Sequence, residues 1–238
     1  MKPLDPHVWA EMVDTICRKG QQQLLWAYTE PWLQAEMFAD LHARRESTGW
    51  EPLSVEVPYV TFVPFTPPRT AHRDWRTSGA VKWVDLCLRS HTTNEWVWIE
   101  LKSRHAGTDG REASAGRQAR NAVRKDIAAL AALDPAKTAD TWLVPDWYTR
   151  AYWFEATLAP FAEALREGTH YYVAVYLQLD GELSEEVWSS AVMEDLVYQW
   201  WRTRTRDVES PPPYKGAHRI ERFEVADANH VLVATGTL

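Results

Sequence analysis

The sequence predicts an α/β protein, and three observations carry that expectation. Two apolar runs, residues 80–88 and 95–102, flank a short polar turn and read as paired strands. Apolar residues at helical spacing lie both before and after that pair. A further β-rich run, residues 171–179, would extend the same sheet.

Taken in chain order, residues 6–28 place Val8, Met12, Ile16 and Leu24 at helical spacing, with Gly20 positioned to interrupt them. A second helix is expected from Thr29, with Pro31 in its first turn, to the neighbourhood of Arg45. Leu33, Met37 and Leu41 form its apolar stripe. Glu36 flanks that stripe, either as a carboxylate reaching over the core edge or as a surface residue pairing along the helix. Residues 53–65, rich in Val, Tyr and Phe, read as the first strand, ended by Pro64 and the Pro67-Pro68 pair. The polar loop 69–79 carries Arg69, His72, Arg73 and Arg76, which are either solvated or turned toward a phosphate backbone.

The next two runs hold acidic residues where a buried strand should have none. A turn centred between Thr92 and Thr93 sets Asp85 directly across from Glu100. Alternation then places Asp85, Glu100 and Lys102 on one side, and Val84, Leu86, Leu88, Val97, Ile99 and Leu101 on the other. Like charges facing each other on neighbouring strands cost stability unless a cation lies between them. Two carboxylates and a nearby main-chain carbonyl make an oxygen-rich half-shell of the kind Mg²⁺ or Mn²⁺ accepts, with water and substrate phosphate completing the octahedron. Lys102 is placed to orient or help deprotonate a metal-bound water and to stabilise charge on phosphorus.

Asp85 followed by Glu100-Leu101-Lys102 resembles the PD-(D/E)xK nuclease superfamily, with Val84 standing where the motif has Pro. The E-x-K triplet alone arises by chance about once in a chain of this size, so its weight comes from the facing acid and the flanking helices. The resemblance covers roughly residues 30–133. It implies a mixed central β-sheet flanked by helices, a restriction-endonuclease-like core, with a C-terminal helical and hairpin extension completing one domain over 1–238. It further implies metal held by Asp85, Glu100 and the Leu101 carbonyl, catalysis by Asp85, Glu100 and Lys102, and help from Glu36 on the preceding helix. The expected activity is divalent-metal-dependent hydrolysis of nucleic acid, DNA before RNA, in an arrangement that a homodimer would extend to both strands.

Beyond Lys102, residues 103–111 contain two glycines and read as a loop without P-loop spacing. A long helix is expected over 114–133, with Ala119, Val123, Ile127 and Leu130 on one face. Arg117, Arg120 and Arg124 line another face of it and, with Arg104, are the candidate contacts to nucleic acid, unless that face is only solvated. Residues 142–167 read as partly helical and 184–206 as a helix whose Trp200-Trp201 and arginine ending either grips a nucleic acid or caps the helix. Residues 220–233 read as a closing hairpin turned at 227–229.

Composition bounds the alternatives. A chain of 238 residues, 45% hydrophobic and 25% charged, can bury a full core. No apolar stretch reaches membrane-spanning length and the first residues lack a secretory pattern, so a cytoplasmic protein is expected. The net charge of −7 argues against a protein that coats nucleic acid through a broad basic surface. Cys17 and Cys87 show no paired spacing, and the eight histidines show none of the zinc-hydrolase patterns. Of fourteen tryptophans, Trp96 and Trp98 share the face of Glu100, either as core residues or as platforms for bases. The competing class is a catalytically silent protein on the same fold, serving as an interaction module.

Overall fold

Period-two alternation of apolar side chains, carried on both faces of the strands, builds one mixed sheet between two helical layers. The computed structural model describes residues 2–23, 30–61, 81–90, 92–105, 126–127, 129–143, 158–179, 219–226 and 229–238. Within them run α1 (Pro6–Gln23), α2 (Glu30–Ala43), the short α3 (Arg45–Thr48), β1 (Trp50–Val60), β2 (Val81–Ser90) and β3 (Glu95–His105). There follow α4 (Pro135–Leu143), a 3-10 turn (Ala159–Phe161), α5 (Ala162–Glu167), β4 (Thr169–Leu179), β5 (Arg219–Val225) and β6 (Asn229–Thr237). The six strands lie in the order β1-β2-β3-β4-β6-β5. Every neighbouring pair is antiparallel except β3 and β4, which run parallel.

That parallel step requires a crossover, and α4 and α5 belong to it, packed on the face that carries Trp96, Trp98, Tyr172 and Tyr176. The opposite face carries Leu86, Leu88, Val97, Ile99, Leu101 and Val173 against Val13 and Ile16 of α1 and Leu33, Met37 and Leu41 of α2. The hairpin has the register expected from its turn: Leu86 faces Ile99, Cys87 faces Trp98 and Leu88 faces Val97.

Several boundaries differ from the sequence expectation. β1 begins at Trp50 rather than 53, because Trp50 is buried and brings the preceding residues into the sheet. Its Pro58 is accommodated because β1 is an edge strand. That edge is covered near its end by α4: the Val60 amide donates to Thr138 Oγ1 at 2.9 Å and Trp142 Nε1 donates to the Pro58 carbonyl at 2.9 Å. β3 continues through Ser103, Arg104 and His105, where a loop was expected. The closing hairpin is β5–β6, and β6 pairs with β4 from Tyr171–Thr237 to Gln178–His230, so it forms one side of the central sheet. Of the helix expected over 114–133, residues 126, 127 and 129–131 are helical. The loop 69–79 and the helix 184–206 lie outside the described residues.

Trp96 and Trp98 have no exposed surface, which places them in the core rather than on a base-stacking surface. Trp98 Nε1 donates to His170 Nδ1 at 3.2 Å, so the proton of that imidazole lies on Nε2, which donates to the Leu165 carbonyl at 2.9 Å. Burial pulls the His170 pKa down to about 4, keeping the ring neutral. Gly168 lies against the same cluster. A Cβ there would stand 2.5 Å from Trp96 Nε1 and 2.9 Å from the Asn94 carbonyl oxygen, and the backbone atom cannot yield. Gly168→Ala is therefore expected to cost about 1–3 kcal/mol, read as a lower urea midpoint with an unchanged m-value.

A candidate carboxylate and lysine site at the fork of the sheet

β2 keeps company with β1 as far as Val81 opposite Val60, and β3 keeps company with β4 as far as His105 opposite Leu179. The ladder between β2 and β3 ends earlier, at Leu86 opposite Ile99. The next pair in that register is Asp85 and Glu100, so the sheet forks between the two carboxylates.

Three local features shape the fork. The Leu101 amide, which would continue the ladder to β2, instead donates to Asp85 Oδ2 at 2.6 Å. An extended residue directs its N–H and C=O to the same edge, so the Leu101 carbonyl also faces the opening. On the other side of β2, Glu56 has left-handed backbone (φ +52°) and drops out of the β1 register between Val55–Leu86 and Val57–Val84. The Asp85 carbonyl is taken instead by Gln34 Nε2 of α2 at 2.9 Å. The irregularity at Glu56 and Asp85 has a further effect: Val84 joins Val57 and Tyr59 in one core rather than Leu86 in the other, correcting the face expected from strict alternation.

Lys102 lies beside this opening. Its Nζ is 3.1 Å from Glu30 Oε1 and 3.7 Å from Asp126 Oδ2. Four carboxylates thus act on one ammonium: Glu30, Asp85, Glu100 and Asp126. Glu30 is the first residue of α2, and Asp126 belongs to the helical turn next to buried Ile127.

Burial dominates the electrostatics. Glu100 is only 7% exposed, and its carboxyl is driven well above the usual range by burial first, then by the charges of Asp126 and Asp85. Burial also raises Asp85, against the Leu101 N–H bond and the Lys102 charge, which favour its ionised form. Burial pushes Asp126 up to about 6 although Lys102 opposes the shift. For Lys102 burial acts in the other direction, but Asp126, Asp85, Glu30 and Glu100 outweigh it and push the ammonium up to about 12. The cluster therefore holds a proton between Asp85 and Glu100 and a fixed positive charge on Lys102 at neutral pH.

The structure brings together Asp85, Glu100, Leu101 and Lys102 among the residues singled out by sequence. Glu36 is half-buried on α2 and is neither hydrogen-bonded nor ion-paired to them among the described residues. The α2 residue at the site is Glu30, which helical geometry sets in line with the buried stripe of Leu33, Met37 and Leu41, whereas Glu36 lies off it. Arg104 pairs through its backbone with Gln178 in β4, and Arg117, Arg120 and Arg124 lie outside the described residues. Sequence reasoning missed Glu30 and Asp126. A signal for both was present: each is an acid at the three- and seven-residue spacing of an apolar helical stripe, where no charge is expected.

Among the described residues, no three His, Cys, Asp or Glu side chains converge closely enough to enclose an ion by themselves. The donor set that faces the opening is two carboxylates and a carbonyl, all hard oxygen ligands, which suits an ion that keeps several waters. No family model, curated protein or solved structure matches the chain. No described helix is long and apolar enough to cross a membrane.

The raised Glu100 pKa has a consequence for stability. Above the ordinary glutamate value of 4.5 the folded chain holds a proton that the unfolded chain has released, so this group lowers stability as pH rises. Glu100→Gln, which mimics the protonated form, should raise Tm by about 2 °C or more at about pH 8 in chelator, and should have little effect near about pH 4. Thermal unfolding at both pH values measures this.

Proposed function

We propose that this chain is a divalent-metal-dependent nuclease on a restriction-endonuclease-like core, hydrolysing nucleic-acid phosphodiester bonds, with DNA preferred to RNA. One observation carries the reading: two facing carboxylates stand where two paired strands part, with the Leu101 backbone turned to the same edge and a lysine on the residue after it. The strand placement supports it, with Asp85 on the second strand, the E-x-K on the third, and a helix before them supplying Glu30. Glu30 takes the assisting position that the resemblance had given to Glu36.

Asp85, Glu100 and the Leu101 carbonyl would hold Mg²⁺ or Mn²⁺. Such an ion supplies Lewis-acid polarisation of the phosphate and a water of lowered pKa. The chain's own groups do the rest. The Leu101 amide fixes one oxygen of Asp85, which orients the carboxyl at the fork. Lys102 carries a permanent positive charge at the site, suited to orienting the attacking water and to stabilising negative charge that develops on phosphorus. Arg104, Arg117, Arg120 and Arg124 would contact the phosphate backbone, and a homodimer would present one fork to each strand.

A second reading, the silent interaction module, is favoured by one specific observation. Lys102 already serves Glu30 and Asp126 as a counter-charge, so part of the cluster is neutralised from within.

Calorimetry with Mg²⁺ and Mn²⁺ separates the two, followed by cleavage assays on single-stranded and duplex DNA and RNA. Asp85→Asn and Glu100→Gln are expected to abolish both ion binding and cleavage. Lys102→Ala should bind the ion as well as the wild type while kcat falls by about a hundredfold or more. No divalent-ion uptake by the wild-type protein would leave the interaction module.

A further inference from the structure

Asp126 has no part in the motif that suggested the activity, yet it reaches the same lysine. Ile127 and Leu130 have no exposed surface and seat its helical turn in the core that contains Tyr59 and Trp98. Glu30 comes from the other layer, where Leu33 and Met37 seat α2 on the opposite face of the sheet. Lys102 is thus approached by a carboxylate from each side, at 3.1 Å from Glu30 and 3.7 Å from Asp126. Asp126 Oδ2 is fully buried and accepts no hydrogen bond among the described residues, and of the two cations that act on it, Lys102 and Lys82, Lys102 has the larger effect and stands 3.7 Å away.

A lysine side chain has four rotatable bonds and a single partner holds it weakly. Two partners anchored in separate layers leave far less freedom. We propose that Asp126 is a positioning residue: together with Glu30 it braces the Lys102 ammonium at the mouth of the fork. The proposal rests on the nuclease reading for its catalytic consequence, but the brace itself is a contact that folding measurements detect.

Two measurements on the full-length protein decide it. The first is a double-mutant cycle on thermal unfolding with Asp126→Asn, Lys102→Met and the pair of changes together. The brace predicts non-additivity, with the double variant losing less Tm than the sum of the single losses. Additive losses would overturn the proposal whatever the enzyme does. The second is steady-state cleavage of duplex DNA with Mg²⁺ or Mn²⁺. Asp126→Asn should lower kcat about tenfold or more with KM within about twofold of wild type, because Asp126 acts through Lys102 and not on substrate. Asp126→Glu, which restores the charge, should recover most of that loss, a recovery that a merely structural role would not show. An active wild type whose kcat is unmoved by Asp126→Asn would also overturn the positioning role. A wild type that cleaves no nucleic acid removes the nuclease reading, and the unfolding cycle still decides the brace.

Discussion

The structure depends on one constraint: two carboxylates are held opposite each other across a hairpin in the middle of an apolar sheet. At the separation of cross-strand neighbours, about 5 Å, two such charges would repel by about 3 kcal/mol at an effective dielectric near 20. The sheet relieves this in two ways. It ends the β2–β3 ladder one pair early, and it holds a proton between Asp85 and Glu100. The Leu101 amide released by the split turns to the Asp85 side chain, and on the other edge of β2 the Asp85 carbonyl, left by the irregularity at Glu56, is taken by Gln34.

A fork of this kind requires a rigid base. The tryptophans supply it: Trp96, Trp98 and Trp142 pack with ring centroids 6.0 and 6.1 Å apart, and His170 stacks against both Trp96 and Trp98. These large side chains fill the face beneath the crossover and pin β3 to β4, while the Trp98–His170–Leu165 hydrogen bonds tie that face to the end of α5. Closely packed aromatics also explain why Gly168 is needed where α5 enters β4.

Around the fork, charge is arranged by layer. Each helical layer sends one acid to Lys102, so the ammonium is the point where both layers meet the sheet electrostatically. Buried hard oxygen donors, a facing carbonyl and a fixed cation form the chemical set on which the proposed function rests. The same set, with its lysine engaged internally, is also self-consistent without a ligand, which is why ion uptake is the deciding property.

Local periodicity determined a good part of this protein. Turn chemistry at Thr92 and Thr93 set the hairpin register, and alternation put Asp85 beside Glu100 and the leucines on the far face. Apolar spacing placed α1, α2, β4 and the closing hairpin. Other features required contacts between segments distant in sequence. The parallel pairing of β3 with β4, the joining of β6 to β4, and the departure of Val84 from its expected face all follow from how strands assemble. The choice of Glu30 over Glu36 depended on which face of α2 met the sheet, and Asp126 reached Lys102 only because its helical turn packed into the core that contains Trp98. Periodicity reports which side of an element is apolar. Which charged groups meet at the end of that side is decided by packing, because the energy that brings them together comes from the apolar residues around them.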